Sequence, residues 1–125
     1  MASVLIVDDS PTETYKMEVA LKKNGFEVFK ADNGMDGVAA AKKHLPDLVL
    51  MDVVMPGLNG FQATRQLTQA KETAHIPVII VTTKDQQTDK LWGKRQGAKG
   101  YLVKPVDEKK LVDSVRQVME GAILF

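Results

Sequence analysis

Six residues carry side chains that could act together, and each stands just beyond a short apolar run. Asp8 and Asp9 follow the run 4–7 in "SVLIVDDSPTE", Asp52 follows 48–51, Thr82 and Thr83 follow 78–81, and Lys104 follows 101–103. Were those runs neighbouring strands of one sheet, three carboxylates, two hydroxyls and an ammonium would share one rim. Carboxylates gathered in one place repel, and each resists ionising unless a positive charge joins them. A hard divalent cation fits: Mg²⁺ takes oxygen ligands, keeps several waters, and is held by one or two carboxylates together with phosphate oxygens. Zinc is disfavoured, because the chain has no cysteine and only two histidines, neither near these runs. An aspartate of ordinary pKa, about 3.9, is ionised at neutral pH and can attack phosphorus in line while the cation and Lys104 neutralise the equatorial oxygens. The implied chemistry is phosphoryl transfer to an aspartate.

The elements that must position these groups are legible in the apolar pattern. The runs 4–7, 48–51 and 78–81 are apolar without alternation and too short for helices, as expected of central parallel strands covered on both faces. Weaker strand candidates at 26–31 ("FEVFKA") and 101–103 bring the expected number to five. Between them lie helix starts. Ser10-Pro11-Thr12-Glu13 reads as a capping box with proline at the first helical position, so two backbone amides would be satisfied reciprocally. Asn33 and Asn59 open two more helices. Asp107 caps the last, with Val106 and Leu111 placed as a hydrophobic staple and Leu111, Val112, Val115, Val118 and Met119 forming its apolar stripe. A fourth helix is expected within 85–96, where Gly93 interrupts the pattern. Strand and helix thus alternate five times. With right-handed crossovers the product is an open, doubly wound α/β sheet, whose ligands bind outside the carboxyl ends of the strands.

With 125 residues, 44% hydrophobic, the chain is expected to form one domain over 1–125. A net charge of +1 with scattered basic residues gives no reason to expect nucleic acid or an anionic membrane as partner. No apolar stretch is long enough to span a bilayer and no leader pattern is present, so a cytoplasmic location is expected.

The segments "VLIVDDS", "DLVLMDVVMPGLNG", "PVIIVTT" and "GAKGYLVKPVD" resemble, in this order and across essentially the whole chain, the motifs of bacterial response-regulator receiver domains such as the chemotaxis regulator CheY. "MPGLNGFQATRQLTQ" and "TTKDQQTDKLWGKRQGAKGYLVKPVDE" are further similar to the single-domain regulators of type IV pilus (twitching) chemosensory systems, the PilH group. The resemblance implies a flavodoxin-like (β/α)5 fold with strand order 2-1-3-4-5. It implies Asp52 as phosphoacceptor, Mg²⁺ held by the side chains of Asp9 and Asp52 and the backbone carbonyl of Val54, and Asp8 assisting through water. Thr82 would bond the phosphoryl group and move inward, Lys104 would pair with it, Tyr101 would change rotamer, and the Lys104-Pro105 peptide would be cis. The implied donor is a CheA-like histidine kinase, and the implied output is the surface made by the fourth helix, fifth strand and fifth helix of a monomer. Val54 and Lys84 depart from the chemotaxis pattern near the attacking water, which leaves the phosphoryl lifetime open.

Other readings stand beside this one. The protein is either a switch or a phosphate sink for a shared kinase. A small Mg²⁺-dependent phosphatase with an aspartyl-phosphate intermediate is disfavoured because Val54 stands where a second acid belongs. A flavin binder would need a phosphate-binding loop in place of "DDSPTE". Catalysis is thus expected only of the chain's own phosphorylation and dephosphorylation. Trp92 is either a docking hot spot or a ring packed over a neighbouring helix. His44 and His75 read as surface positions, and Lys90, Lys94, Arg95 and Lys99 as a solvated face. Whether the final "GAILF" packs, frays or meets another chain is open.

Overall fold

In the computed structural model, which describes residues 1–125, ten elements alternate along the chain. They are β1 (Ser3–Val7), α1 (Pro11–Lys23), β2 (Glu27–Ala31), α2 (Gly34–His44), β3 (Leu48–Met51), α3 (Gly60–Gln69), β4 (Val78–Thr82), α4 (Gln87–Arg95), β5 (Gly100–Val103) and α5 (Glu108–Met119). All strands are parallel, in the order β2-β1-β3-β4-β5. The three unalternated runs are the three central strands, and their side chains point alternately to the two faces. Val4, Ile6, Leu48, Leu50, Ile79 and Val81 pack under α1 and α5, whereas Leu5, Val7, Val49, Met51 and Val78 pack under α2 and α3. A smaller cluster of Val53, Phe61, Ile80, Ala98 and Tyr101 lies toward α4. β2 begins one residue later than expected, because Phe26 turns into the core instead of joining the ladder.

The helix starts follow the sequence signals with one correction. The Asn33, Asn59 and Asp107 side chains each accept the backbone N–H three residues on, and Asn59 with Gln62 closes a full capping box. Val106 packs against the cluster that contains Leu111, as a staple requires. At α1 only half of the expected box exists. Ser10 Oγ accepts the Glu13 N–H at 3.3 Å, but the Ser10 N–H goes to Asp8 Oδ1 at 2.9 Å. A carboxylate two residues upstream reaches that amide more directly than the Glu13 side chain, in the manner of an Asx turn.

Gly93 does not break α4. A methyl group there would lie 2.8 Å from Ile80 Cδ1 and 3.2 Å from Tyr101 Cδ2, so the glycine lets the helix backbone settle onto the sheet. It is the one buried residue of α4. Trp92 is 49% exposed and Leu91 similarly so, so neither side chain is part of the core. The final residues pack: Leu124 forms a parallel bridge with Gly100 at the open edge of β5. No helix is long and apolar enough to cross a membrane.

Candidate functional site

The chain leaves β1, β3 and β5 at the same rim, and the ladder fixes how close the departing residues come. The Asp52 N–H donates to the Val7 carbonyl at 2.9 Å and the Asp8 N–H to the Ala31 carbonyl at 3.1 Å, so the strand pairing continues one residue into the acidic segments. Asp8, Asp9 and Asp52 each offer a carboxylate oxygen, all within 4.8 Å of one another. Asp8 and Asp52 are buried and Asp9 is exposed.

Lys104 enters from the end of β5, across a cis peptide bond to Pro105. Its Nζ donates to Asp8 Oδ2 at 2.7 Å and to Asp52 Oδ2 at 3.3 Å. Asp8 Oδ1 takes the Ser10 amide, and Asp52 Oδ1 takes the Val53 amide at 2.7 Å. Burial drives the Asp8 carboxyl above its ordinary range, with the neighbouring Asp52 charge adding to it, while Lys104 and the Ser10 amide pull back without cancelling the rise. For Lys104 burial works to lower the pKa, but the Asp8 hydrogen bond and the charges of Asp52 and Asp8 hold the ammonium above its usual value. The lysine is therefore a fixed positive charge at physiological pH.

Three carboxylates face one ammonium, leaving two negative charges uncompensated. The donor set is all oxygen, and the Asp9 carboxylate is engaged in no ion pair or hydrogen bond. Such a set fits a hard divalent cation and does not fit zinc or copper.

The remaining expected site residues are placed less uniformly. Thr82 ends β4, fully buried; its Oγ1 accepts the Lys84 N–H at 3.5 Å and makes no bond to the carboxylates. Val54 lies two residues beyond Asp52 on the loop leaving β3, with its side chain turned to solvent. Tyr101 is buried, and its hydroxyl donates to the Lys84 carbonyl at 2.8 Å. Burial, then the charges of Asp89, Asp52 and Asp85, push its phenol up to about 12, so the hydroxyl keeps its proton throughout the physiological range. Thr83 is exposed.

Three participants had no side-chain signal in the sequence. The Ser10 amide and the Lys84 carbonyl are backbone groups. Gly60 allows α3 to start directly against Asp52, since a Cβ there would stand 1.9 Å from the Asp52 carbonyl oxygen. Only its place after Asn59, at the start of a helix, could have pointed to it.

A parallel five-stranded sheet whose carboxyl rim gathers three aspartates and a lysine defines a receiver domain of two-component signalling. A family model described as "Response regulator receiver domain" matches residues 4–116, and the chain belongs to that family. It is 66% identical over 121 residues to Protein PilH of Pseudomonas aeruginosa, covering 97% of this chain and 100% of that protein, in line with the similarity to the PilH group. Among solved structures, chemotaxis protein CheY4 of Vibrio cholerae superposes with a TM-score of 0.90 at 33% identity, over 94% of this chain and 98% of that one. The receiver domain of the sensor histidine kinase PA1611 from Pseudomonas aeruginosa, whose structure has a magnesium ion coordinated in the active-site cleft, superposes with a TM-score of 0.89. It shares 27% identity over 96% of this chain and 98% of that one.

Proposed function

We propose that this protein is a stand-alone response regulator in which Asp52 accepts a phosphoryl group from a CheA-like histidine kinase. The observation that carries this reading is the convergence of Asp8, Asp9, Asp52 and Lys104 on one rim with two negative charges left over. Asp9, Asp52 and the Val54 carbonyl would hold Mg²⁺, with Asp8 acting through water. Bound there, the cation would supply charge neutralisation for the equatorial phosphoryl oxygens. A carboxylate oxygen of Asp52 forms the new O–P bond as the P–N bond to the donor imidazole breaks, its electron pair going to the imidazole nitrogen. The Val53 amide, at 2.7 Å from Oδ1, fixes the plane of the Asp52 carboxylate. Lys104 holds Asp8 more closely than Asp52, so pairing with the phosphoryl group requires it to lean away from Asp8.

The acyl phosphate adds about one and a half to two negative charges beside Thr82. Thr82 has only a long bond from the Lys84 amide to give up when it turns toward those oxygens. The Lys84 segment carries the acceptor of the Tyr101 hydroxyl, so a shift at Thr82 reaches Tyr101 and the face built from α4, β5 and α5. The likeness to PilH supports a place in a chemosensory system for type IV pilus motility, with the chain acting as a cytoplasmic monomer.

Incubation with Mg²⁺ and acetyl phosphate, followed by intact mass, tests the reading. One phosphoryl group is expected in the wild type and none in Asp52→Asn or after chelation; incorporation that survives Asp52→Asn would sink the assignment. The decay rate of the product then separates a switch from a short-lived sink.

A further inference from the structure

Residues 121–125 dock on the one sheet edge that lies beside Tyr101. The Leu124 N–H donates to the Lys99 carbonyl at 2.8 Å and the Leu124 carbonyl accepts the Tyr101 N–H at 3.1 Å, the pairing of an added parallel strand. The Leu124 side chain packs against the cluster under α5, and the Phe125 ring tilts against the Tyr101 ring at a centroid distance of 6.4 Å. Together with α5 the segment bounds a groove of about 580 Å³ that includes Tyr101, Leu102, Ser114 and Gln117. Its hold is slight, because beyond the Gly121 and Ala122 amides that close the end of α5 it makes only two backbone bonds, one half-buried leucine contact and one ring contact, and segments so attached open locally at low free energy.

We propose that residues 121–125 form a detachable strap whose docking on β5 is coupled to the buried position of the Tyr101 ring. The strap spans the backbone of the residue whose ring it touches. Withdrawal of that ring removes the surface on which Phe125 rests and disturbs the amide that holds the Leu124 carbonyl. Coupling is reciprocal, so release of the strap equally favours departure of the ring. Through Thr82 and Lys84 the strap becomes a negative element in signalling: docked, it covers the β5 edge and holds the ring in; released, it bares an unpaired strand edge to an extended segment of a protein partner. That signalling role rests on the Asp52 reading, whereas the coupling itself does not.

Amide hydrogen exchange on the full chain tests both levels. In Tyr101→Leu, the Leu124 amide, whose own bond to Lys99 is untouched by the substitution, is expected to exchange at least tenfold faster than any acceleration at Leu50 or Ile79. An acceleration at Leu124 no greater than at those core amides overturns the coupling, since a static edge cover would be indifferent to the ring. In wild type with Mg²⁺ and acetyl phosphate, the same tenfold rise is expected in samples whose intact mass shows the added phosphoryl group. A phosphoryl group present with Leu124 protection unchanged overturns the signalling role of the strap. No phosphoryl group at all counts against the Asp52 reading, and the Tyr101→Leu comparison then decides the strap alone.

Discussion

Helices α4 and α5 pack on opposite faces of one end of the sheet, and they are attached very differently. α5 buries Leu111, Val112, Val115 and Val118 in a cluster of fifteen core residues; α4 buries a single glycine and leaves Leu91 and Trp92 about half exposed. Each fully buried aliphatic side chain is worth about 1.5–3 kcal/mol, so α5 is fixed by several such contributions and α4 by backbone approach and a five-residue cluster. The element that flanks Tyr101 is thus the one with least to lose by moving. The asymmetry suits the proposed phosphoryl acceptance at Asp52, because a surface that is to change with about two added charges cannot be anchored as firmly as the scaffold that holds the acids.

The sharpest way to break this comparison is to truncate one apolar residue in each helix. Leu111→Ala should cost about 2–5 kcal/mol, the usual loss for a buried leucine, and Leu91→Ala less than about 0.5 kcal/mol, both read as shifts in urea midpoint at constant slope. Equal losses would mean that α4 is anchored as firmly as α5. A smaller effect is expected from Gly93→Ala. The added methyl gains about 1 kcal/mol of helix propensity but meets Ile80 and Tyr101 at 2.8 and 3.2 Å, and overpacking of this kind costs about 1–3 kcal/mol. A net loss of about 1 kcal/mol is expected, since the Ile80 contact is the mobile end of a side chain; a net gain would show that α4 rides up freely. The remaining effect is a pH dependence. With its folded pKa pushed up to about 12 against an ordinary value near 10, Tyr101 binds its proton more tightly in the fold. Stability should therefore fall as pH rises from about 10 to 12, and fall less steeply in Tyr101→Phe. Identical slopes in the two proteins would place the ring in water.

The same asymmetry decides what could be read from the sequence. β1, β3 and β4 were legible because strands buried on both faces must be continuously apolar, and α5 because one buried face imposes a stripe of period 3.6. α4 was ambiguous for the converse reason: its attachment is a missing side chain, which looks in sequence like a helix breaker. The charged members of the site were legible because aspartates and a lysine at the ends of buried strands have no packing reason to be there. The half-formed cap at Ser10 was missed because Asp8 competes for its amide across two residues. The docking of residues 121–125 was illegible because their partners are backbone groups of an edge strand, and "GAILF" is equally apt for packing, fraying or contact with another chain.

Gly60 carries a consequence for how the protein tolerates change. Any Cβ at this position would stand 1.9 Å from the carbonyl oxygen of Asp52, a backbone atom with no freedom to yield. A saturation library selected for phosphoryl acceptance should therefore recover glycine alone at 60. The acidic rim is guarded by a residue eight positions downstream that has no side chain.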